Sequence, residues 1–124
     1  TVMQTFAGHA GLITSVAFSP DPSRRWVLTG SQDQTALLWD ADTGTPLRIF
    51  LHPSALETVA FDPSGDRVVT TAGQTAYVWD TASGALLGAV GHKLGINAAI
   101  FSADGARLLT GGDDGTAQVW AVRP

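Results

Sequence analysis

The chain has 124 residues, no cysteine and a formal net charge of −4. Lack of cysteine rules out disulfides, thiolate metal sites and thiol catalysis within these residues. The acidic balance argues against a phosphate-binding surface, so no nucleic-acid partner is expected. Residues 1–20 carry no Asp, Glu, Lys or Arg. Gln4, Thr5, Gly8, His9, Gly11, Thr14 and Ser15 nevertheless interrupt that stretch too often for a membrane span. It also has neither the basic start nor the unbroken apolar run of a signal peptide. A soluble, cytoplasmic chain without membrane contact is expected.

In chain order, no stretch shows a sustained 3.6-residue apolar period. Short β-rich runs separated by Gly, Pro, Asp and Ser dominate, which predicts an all-β fold. Leu12–Ser19, Trp26–Gly30, Thr35–Asp40 and Pro46–Phe50 read as strands a, b, c and d of a first unit. Leu56–Phe61, Arg67–Thr71, Thr75–Asp80 and Leu86–Val90 repeat that order. Ile96–Ser102, Arg107–Gly111 and Thr116–Val122 give a, b and c of a third. Asp62-Pro63-Ser64-Gly65 and Ala103-Asp104-Gly105 supply a–b hairpins, because Asp caps the turn and Gly accepts a positive φ. The first a–b hairpin, Pro20 to Arg25, is two residues longer. Val2–Phe6 lies where a strand d belongs, so the expected order is d, abc–d, abc–d, abc.

One cassette is written three times. Gly8-His9, Leu51-His52 and Gly91-His92 open units that close at Trp39-Asp40, Trp79-Asp80 and Trp120-Ala121. Phe18, Phe61 and Phe101 each follow the histidine by nine residues, and Thr29, Thr70 and Thr110 precede the tryptophan by ten, nine and ten. A period of about 40 residues with Gly-His at one end and Trp-Asp at the other is the signature of a four-stranded propeller blade. The chain resembles the WD-repeat β-propeller family over essentially its whole length. The units run over about 8–50, 51–90 and 91–124, the last to be completed by residues 2–6 of a neighbouring copy. Trp39 to His52 and Trp79 to His92 are both thirteen residues apart, and joining the chain's end to its start gives thirteen again.

The resemblance implies a structural tetrad in each blade, running from Trp through Thr and His to Asp. The matching residues are His9, Thr29, Asp33 and Trp39 in one blade, and His92, Thr110, Asp114 and Trp120 in another. The middle blade offers His52, Thr70 and Trp79, but Gly73 stands where the acid is expected. That network reads as incomplete, with a looser loop and a cheaper Trp79→Phe substitution. Equivalent histidines on separate blades cannot converge on one ion. No serine lies in a Gly-x-Ser-x-Gly elbow, no phosphate loop is present, and Asp113-Asp114-Gly115 lacks a calcium ligand series. No catalytic residue, metal or cofactor is therefore expected. Arg25, Arg67 and Arg107 recur before strand b and read as weak surface pairing with nearby acids.

The resemblance also implies a noncatalytic scaffold that binds a protein or peptide on its narrow face. That face would carry Leu12, Gln32, Ala55, Lys93, Leu94 and Asp113, with Thr14, Glu57 and Asn97 near the channel mouth. Trp26, where the other units have Arg67 and Arg107, is a candidate anchor if exposed; the alternative is that the longer first hairpin folds back over it. The rivals are a purely architectural blade set without a specific ligand, and a small-ligand or enzyme site at the channel. Three blades would each have to turn ~120° to close, against ~45–90° in propellers of four to eight blades. Closure by homo-oligomerisation is expected, with a six-blade dimer favoured over a nine-blade trimer; the competing explanation is a piece excised from a longer propeller, natural or engineered, that needs its missing blades.

Overall fold

The computed structural model describes residues 1–122. Eleven strands, and no helix among the described residues, form three antiparallel sheets. β1 (Ile13–Phe18), β2 (Trp26–Ser31), β3 (Thr35–Asp40) and β4 (Pro46–Leu51) make the first blade in the order β1-β2-β3-β4. β5 (Leu56–Phe61), β6 (Arg67–Ala72), β7 (Thr75–Asp80) and β8 (Leu86–Gly91) make the second in the same order. β9 (Ile96–Phe101), β10 (Arg107–Gly112) and β11 (Ala117–Ala121) make a third sheet of three strands. Strand ends differ from the sequence reading by one residue at most, because the turn residues that bound them act locally. Val2–Phe6, read as a strand, is irregular and has no ladder partner among the described residues.

The repeat is expressed as two blade-to-blade interfaces of the same design. Leu28, Leu38 and Phe50 of the first blade pack on Leu56, Val59, Val68 and Trp79 of the second. Val69, Val78 and Val90 of the second pack on Ile96, Ala99, Leu108 and Trp120 of the third. Residues at equivalent repeat positions thus do the same work twice. Close approach depends on small residues: a Cβ on Gly30 would lie 2.8 Å from Val59 Cγ1. Polar ties cross the same seam, where Thr14 Oγ1 donates to the Leu56 carbonyl at 2.9 Å and Val59 N–H to Ser15 Oγ at 3.1 Å.

At the two ends of the stack the same positions are bare. Ile13, Val16 and Phe18 are 46%, 67% and 80% exposed, whereas their counterparts Leu56 and Val59 are 1% and 6% exposed and Phe61 packs on the first interface. At the other end Ile100, Leu109 and Val119 are exposed, while Leu28, Leu38, Val69 and Val78 are buried. Each end therefore presents half of an interface that the middle of the chain completes twice.

The wide rim is stitched blade to blade. Arg24 donates to Asp66 of the next hairpin, and Arg67 donates both to Asp62 and to the Gly105 carbonyl of the hairpin beyond. The Arg67–Asp62 pair is nearly buried, with side-chain exposures of 12% and 4%, and Arg67 lies over the Phe101 ring. The sequence reading of weak surface pairing is thus corrected for Arg67, because packing against the neighbouring blade removes water from the pair. Arg25 does pair at the surface, with Asp42 at 2.9 Å.

Thr81 is fully buried and its hydroxyl finds no partner among the described residues. Its repeat counterparts are Ala41 and Ala121, which have no hydroxyl to satisfy. Unpaired buried hydroxyls are costly, whereas an apolar group of the same shape is not. Thr81→Val is expected to raise stability by about 1 kcal/mol in urea denaturation; a loss of stability would mean the hydroxyl is in use.

Candidate functional site

Each blade contains a buried polar relay built across its strands. Trp39 Nε1–H on β3 donates to Thr29 Oγ1 on β2 at 2.9 Å, and that hydroxyl meets His9 Nε2 at 2.6 Å. His9 Nδ1 meets Asp33 Oδ2 at 2.9 Å in the turn between β2 and β3. A threonine hydroxyl has one proton, so accepting from tryptophan directs that proton to Nε2. The neutral imidazole then carries its hydrogen on Nδ1 and donates to the carboxylate. In the third blade Trp120, Thr110, His92 and Asp114 repeat the arrangement at 2.9, 2.7 and 3.2 Å.

The middle blade finds another acceptor. His52 Nε2 lies 2.7 Å from Thr70 Oγ1, which accepts from Trp79 Nε1–H at 2.9 Å, and Nδ1 lies 3.1 Å from the Phe50 carbonyl oxygen. The expectation of an incomplete network is therefore corrected: a backbone carbonyl stands in for the missing acid. His52 is also walled in by aromatic rings, with Tyr77 and Trp79 centroids at 5.2 and 5.3 Å. With His52 paired and packed in this way, Trp79→Phe leaves Thr70 without its donor just as Trp39→Phe leaves Thr29.

The three relays differ in electrostatics. Burial alone would raise the Asp33 carboxyl, but hydrogen bonds from Thr35, His9 and the Ala10 and Thr35 amides outweigh it and hold Asp33 far below its usual range. At Asp114 the part of Thr35 is taken by Thr116, whose hydroxyl and amide pull the carboxyl down, with help from His92. His52 has no acid, and burial pushes its pKa down from the ordinary imidazole value.

On the narrow face, Leu12, Gln32, Ala55, Lys93, Leu94 and Asp113 are all exposed, as are Thr14, Glu57 and Asn97. Some of their polar groups are engaged within the chain. Asn97 Nδ2 donates to Asp113 Oδ1 at 2.8 Å, and Thr14 ties the first two blades together. Trp26 does not stand free as an anchor. It packs against the cluster between the first and second blades, and the Arg24 guanidinium covers its ring at 5.4 Å from the centroid. The longer hairpin supplies that cover, so of the two readings of Trp26 the covered one holds. Among the described residues, no group of His, Asp and Glu gathers as a metal site, and no helix is long and apolar enough to cross a membrane.

Comparison with known proteins follows the same threefold division. The family model described as WD domain, G-beta repeat matches residues 1–40, 44–80 and 85–121. The chain belongs to the WD40 repeat family. Each matched stretch ends on the tryptophan strand, and the second and third open just before β4 and β8. Among curated proteins, translation initiation factor 3 subunit I of Aspergillus fumigatus is 38% identical over 65 residues, 52% of this chain and 18% of that protein. WD repeat-containing protein 36 of Homo sapiens is 36% identical over 70 residues, 56% of this chain and 8% of that protein. The ribosome biogenesis protein BOP1 homolog of Arabidopsis thaliana is 34% identical over 58 residues, 47% of this chain and 7% of that protein. The chain thus spans less than a fifth of the length of these relatives.

The relay makes two measurable demands on stability. Trp39→Phe and Trp79→Phe should each cost about 1–3 kcal/mol, because each leaves a buried threonine without its donor. Denaturant midpoints that separate the two by more than that range would restore the idea of a weaker middle blade. The second demand concerns pH. Since His52 binds a proton less readily when folded, the unfolded chain protonates first, and stability falls as pH drops below about 6.5. His52→Gln keeps both hydrogen-bond directions without a titrating group. It should shrink the loss of stability between about pH 7.5 and 5.5; an unchanged loss would remove His52 as its source.

Proposed function

We propose that this chain is a noncatalytic protein- or peptide-binding scaffold that closes into a β-propeller by self-association. The observation that carries it is the exposure of Ile13, Val16 and Phe18 at positions where the second blade buries Leu56 and Val59 and packs Phe61. Apolar faces that serve as interfaces elsewhere in one molecule are faces for association. Two copies give six blades, inside the range of four to eight, and three give nine, outside it; the homodimer is therefore preferred.

The binding role rests on family membership and on the exposed narrow face around Leu12, Gln32, Lys93 and Leu94. Noncatalytic action is supported by the engagement of all three histidines in blade relays, which leaves no free general base among them. The initiation-factor relative supports a cytoplasmic setting. A purely architectural role is the second reading, favoured by the pairing of Asn97 with Asp113, which removes polar groups from the mouth of the channel.

Light scattering tests the closure. A particle of twice 12.9 kDa is expected, a discrete trimer would replace the six-blade ring with nine, and a well-folded monomer would overturn self-association. For binding, an immobilised peptide library should retain the wild-type particle and release a Leu12→Asp, Leu94→Asp variant of equal mass. Retention of neither protein would leave the architectural reading standing.

A further inference from the structure

Resting on the scaffold reading above, we propose that the carboxamides of Gln34 and Gln74 bind the main chain of an extended, uncharged peptide on the narrow face.

Among the described residues, Gln34 is the one residue other than glycine with a left-handed backbone, at φ of +76°. A Cβ is disfavoured in that region, so glycine at this position would relieve strain. Nor does the fold demand a side chain there. Gly115 fills the corresponding place in the third blade, directly before Thr116 as Gln34 stands before Thr35. A side chain kept at the cost of strain points to a use for it. Within the chain it has none: Gln34 is exposed, and its carboxamide makes no hydrogen bond to a described residue.

The second blade brings the same group to the same place by a different turn. There the hairpin is one residue shorter, and Gly73 takes the left-handed step with φ of +60°. Gln74 then precedes Thr75 without strain. Its carbonyl accepts from the His92 N–H at 3.0 Å, as the Gln34 carbonyl accepts from the His52 N–H at 3.0 Å. Each glutamine is thus pinned by its main chain to the loop that enters the next blade. The Gln74 side chain, like that of Gln34, is exposed and without a hydrogen bond to a described residue. What the two turns share is the side chain they present, not their length or backbone.

A carboxamide offers two donor hydrogens and an acceptor oxygen, the complement of the C=O and N–H of a peptide unit. Stacked sheets lie ~10 Å apart, about the rise of three extended residues, so one short strand-like segment spans both glutamines. Charge does not lead the contact. Asp33 is the one charged residue in 31–35 or 72–75, and its carboxylate is turned to His9, Ala10 and Thr35. An uncharged segment therefore meets no unmatched charge on either turn.

A peptide array tests the assignment with the full chain. It carries uncharged octapeptides of Ser, Thr and Val, the same sequences with two Lys or two Asp, and N-methylated copies of the uncharged set. The uncharged peptides should bind the wild type at least about tenfold more strongly than a Gln34→Gly, Gln74→Ala variant. N-methylation, which removes main-chain donors, should weaken wild-type binding by a similar factor. The unfolding midpoint of Gln34→Gly should equal or exceed that of the wild type, because glycine accepts this backbone freely. A lower midpoint would assign the side chain to the fold and overturn its role toward a partner. Equal binding by wild type and glutamine variant, lost in the Leu12→Asp, Leu94→Asp variant, would overturn the glutamine contact and leave the scaffold reading intact. Preference for the Lys or Asp peptides would overturn the uncharged partner. Binding of no peptide by the wild type would overturn the contact and leave the architectural reading in place of the scaffold.

Discussion

A blade of this protein is apolar on both faces, and that constraint governs everything else. A sheet with one wet face can stand at a surface, but a sheet with two dry faces must be sandwiched. The middle blade meets the requirement through Val59, Val68 and Trp79 on one side and Val69 and Val78 on the other. Its neighbours meet it on one side each. Stability in such an array is a sum of blade and interface contributions, so the end blades are intrinsically the weaker members of this chain.

The polar relays answer a different problem. A propeller blade puts polar side chains between strands that are otherwise packed by hydrocarbon, and each must be satisfied where it lies. Threonine does this efficiently because one hydroxyl both accepts from tryptophan and donates to histidine. The resulting direction of donation fixes the imidazole tautomer in all three blades, whichever acceptor waits at Nδ1. A carboxylate in the turn and a carbonyl of the preceding strand are interchangeable for that purpose, although they respond differently to acid.

Much of this was legible in the sequence, because the repeat is dense in landmarks. Phe18, Phe61 and Phe101 at a constant offset from the histidines mark strand ends, and Asp and Gly mark the turns. Side chains that act through their own repeat position could be read directly, as with His9, Thr29 and Trp39. What escaped involved backbone groups or neighbouring blades. The Phe50 carbonyl carries no signature in a residue pattern, so the middle network looked incomplete. Arg67 looked like a surface cation because its burial is produced by the third blade, not by its own hairpin. Trp26 could be read two ways, as an anchor or as covered by the longer hairpin, because hairpin length allows that cover without saying that Arg24 supplies it. Val2–Phe6 has the composition and place of a strand, but a strand is defined by its partner, and none lies beside it among the described residues.

The arginine links along the wide rim have a directional consequence. Arg24 reaches forward to the second blade's hairpin, and Arg67 reaches forward to the third. Nothing in this pattern is symmetric under reversal. If a blade were stacked in the opposite sense, Arg24 would no longer face Asp66, and the nearly dry Arg67 would keep Asp62 of its own hairpin but lose the Gly105 carbonyl and the Phe101 ring. Like a row of hooks all bent one way, the rim gives the array a polarity, and misaligned stacking is penalised by stranded charge before any loss of apolar contact.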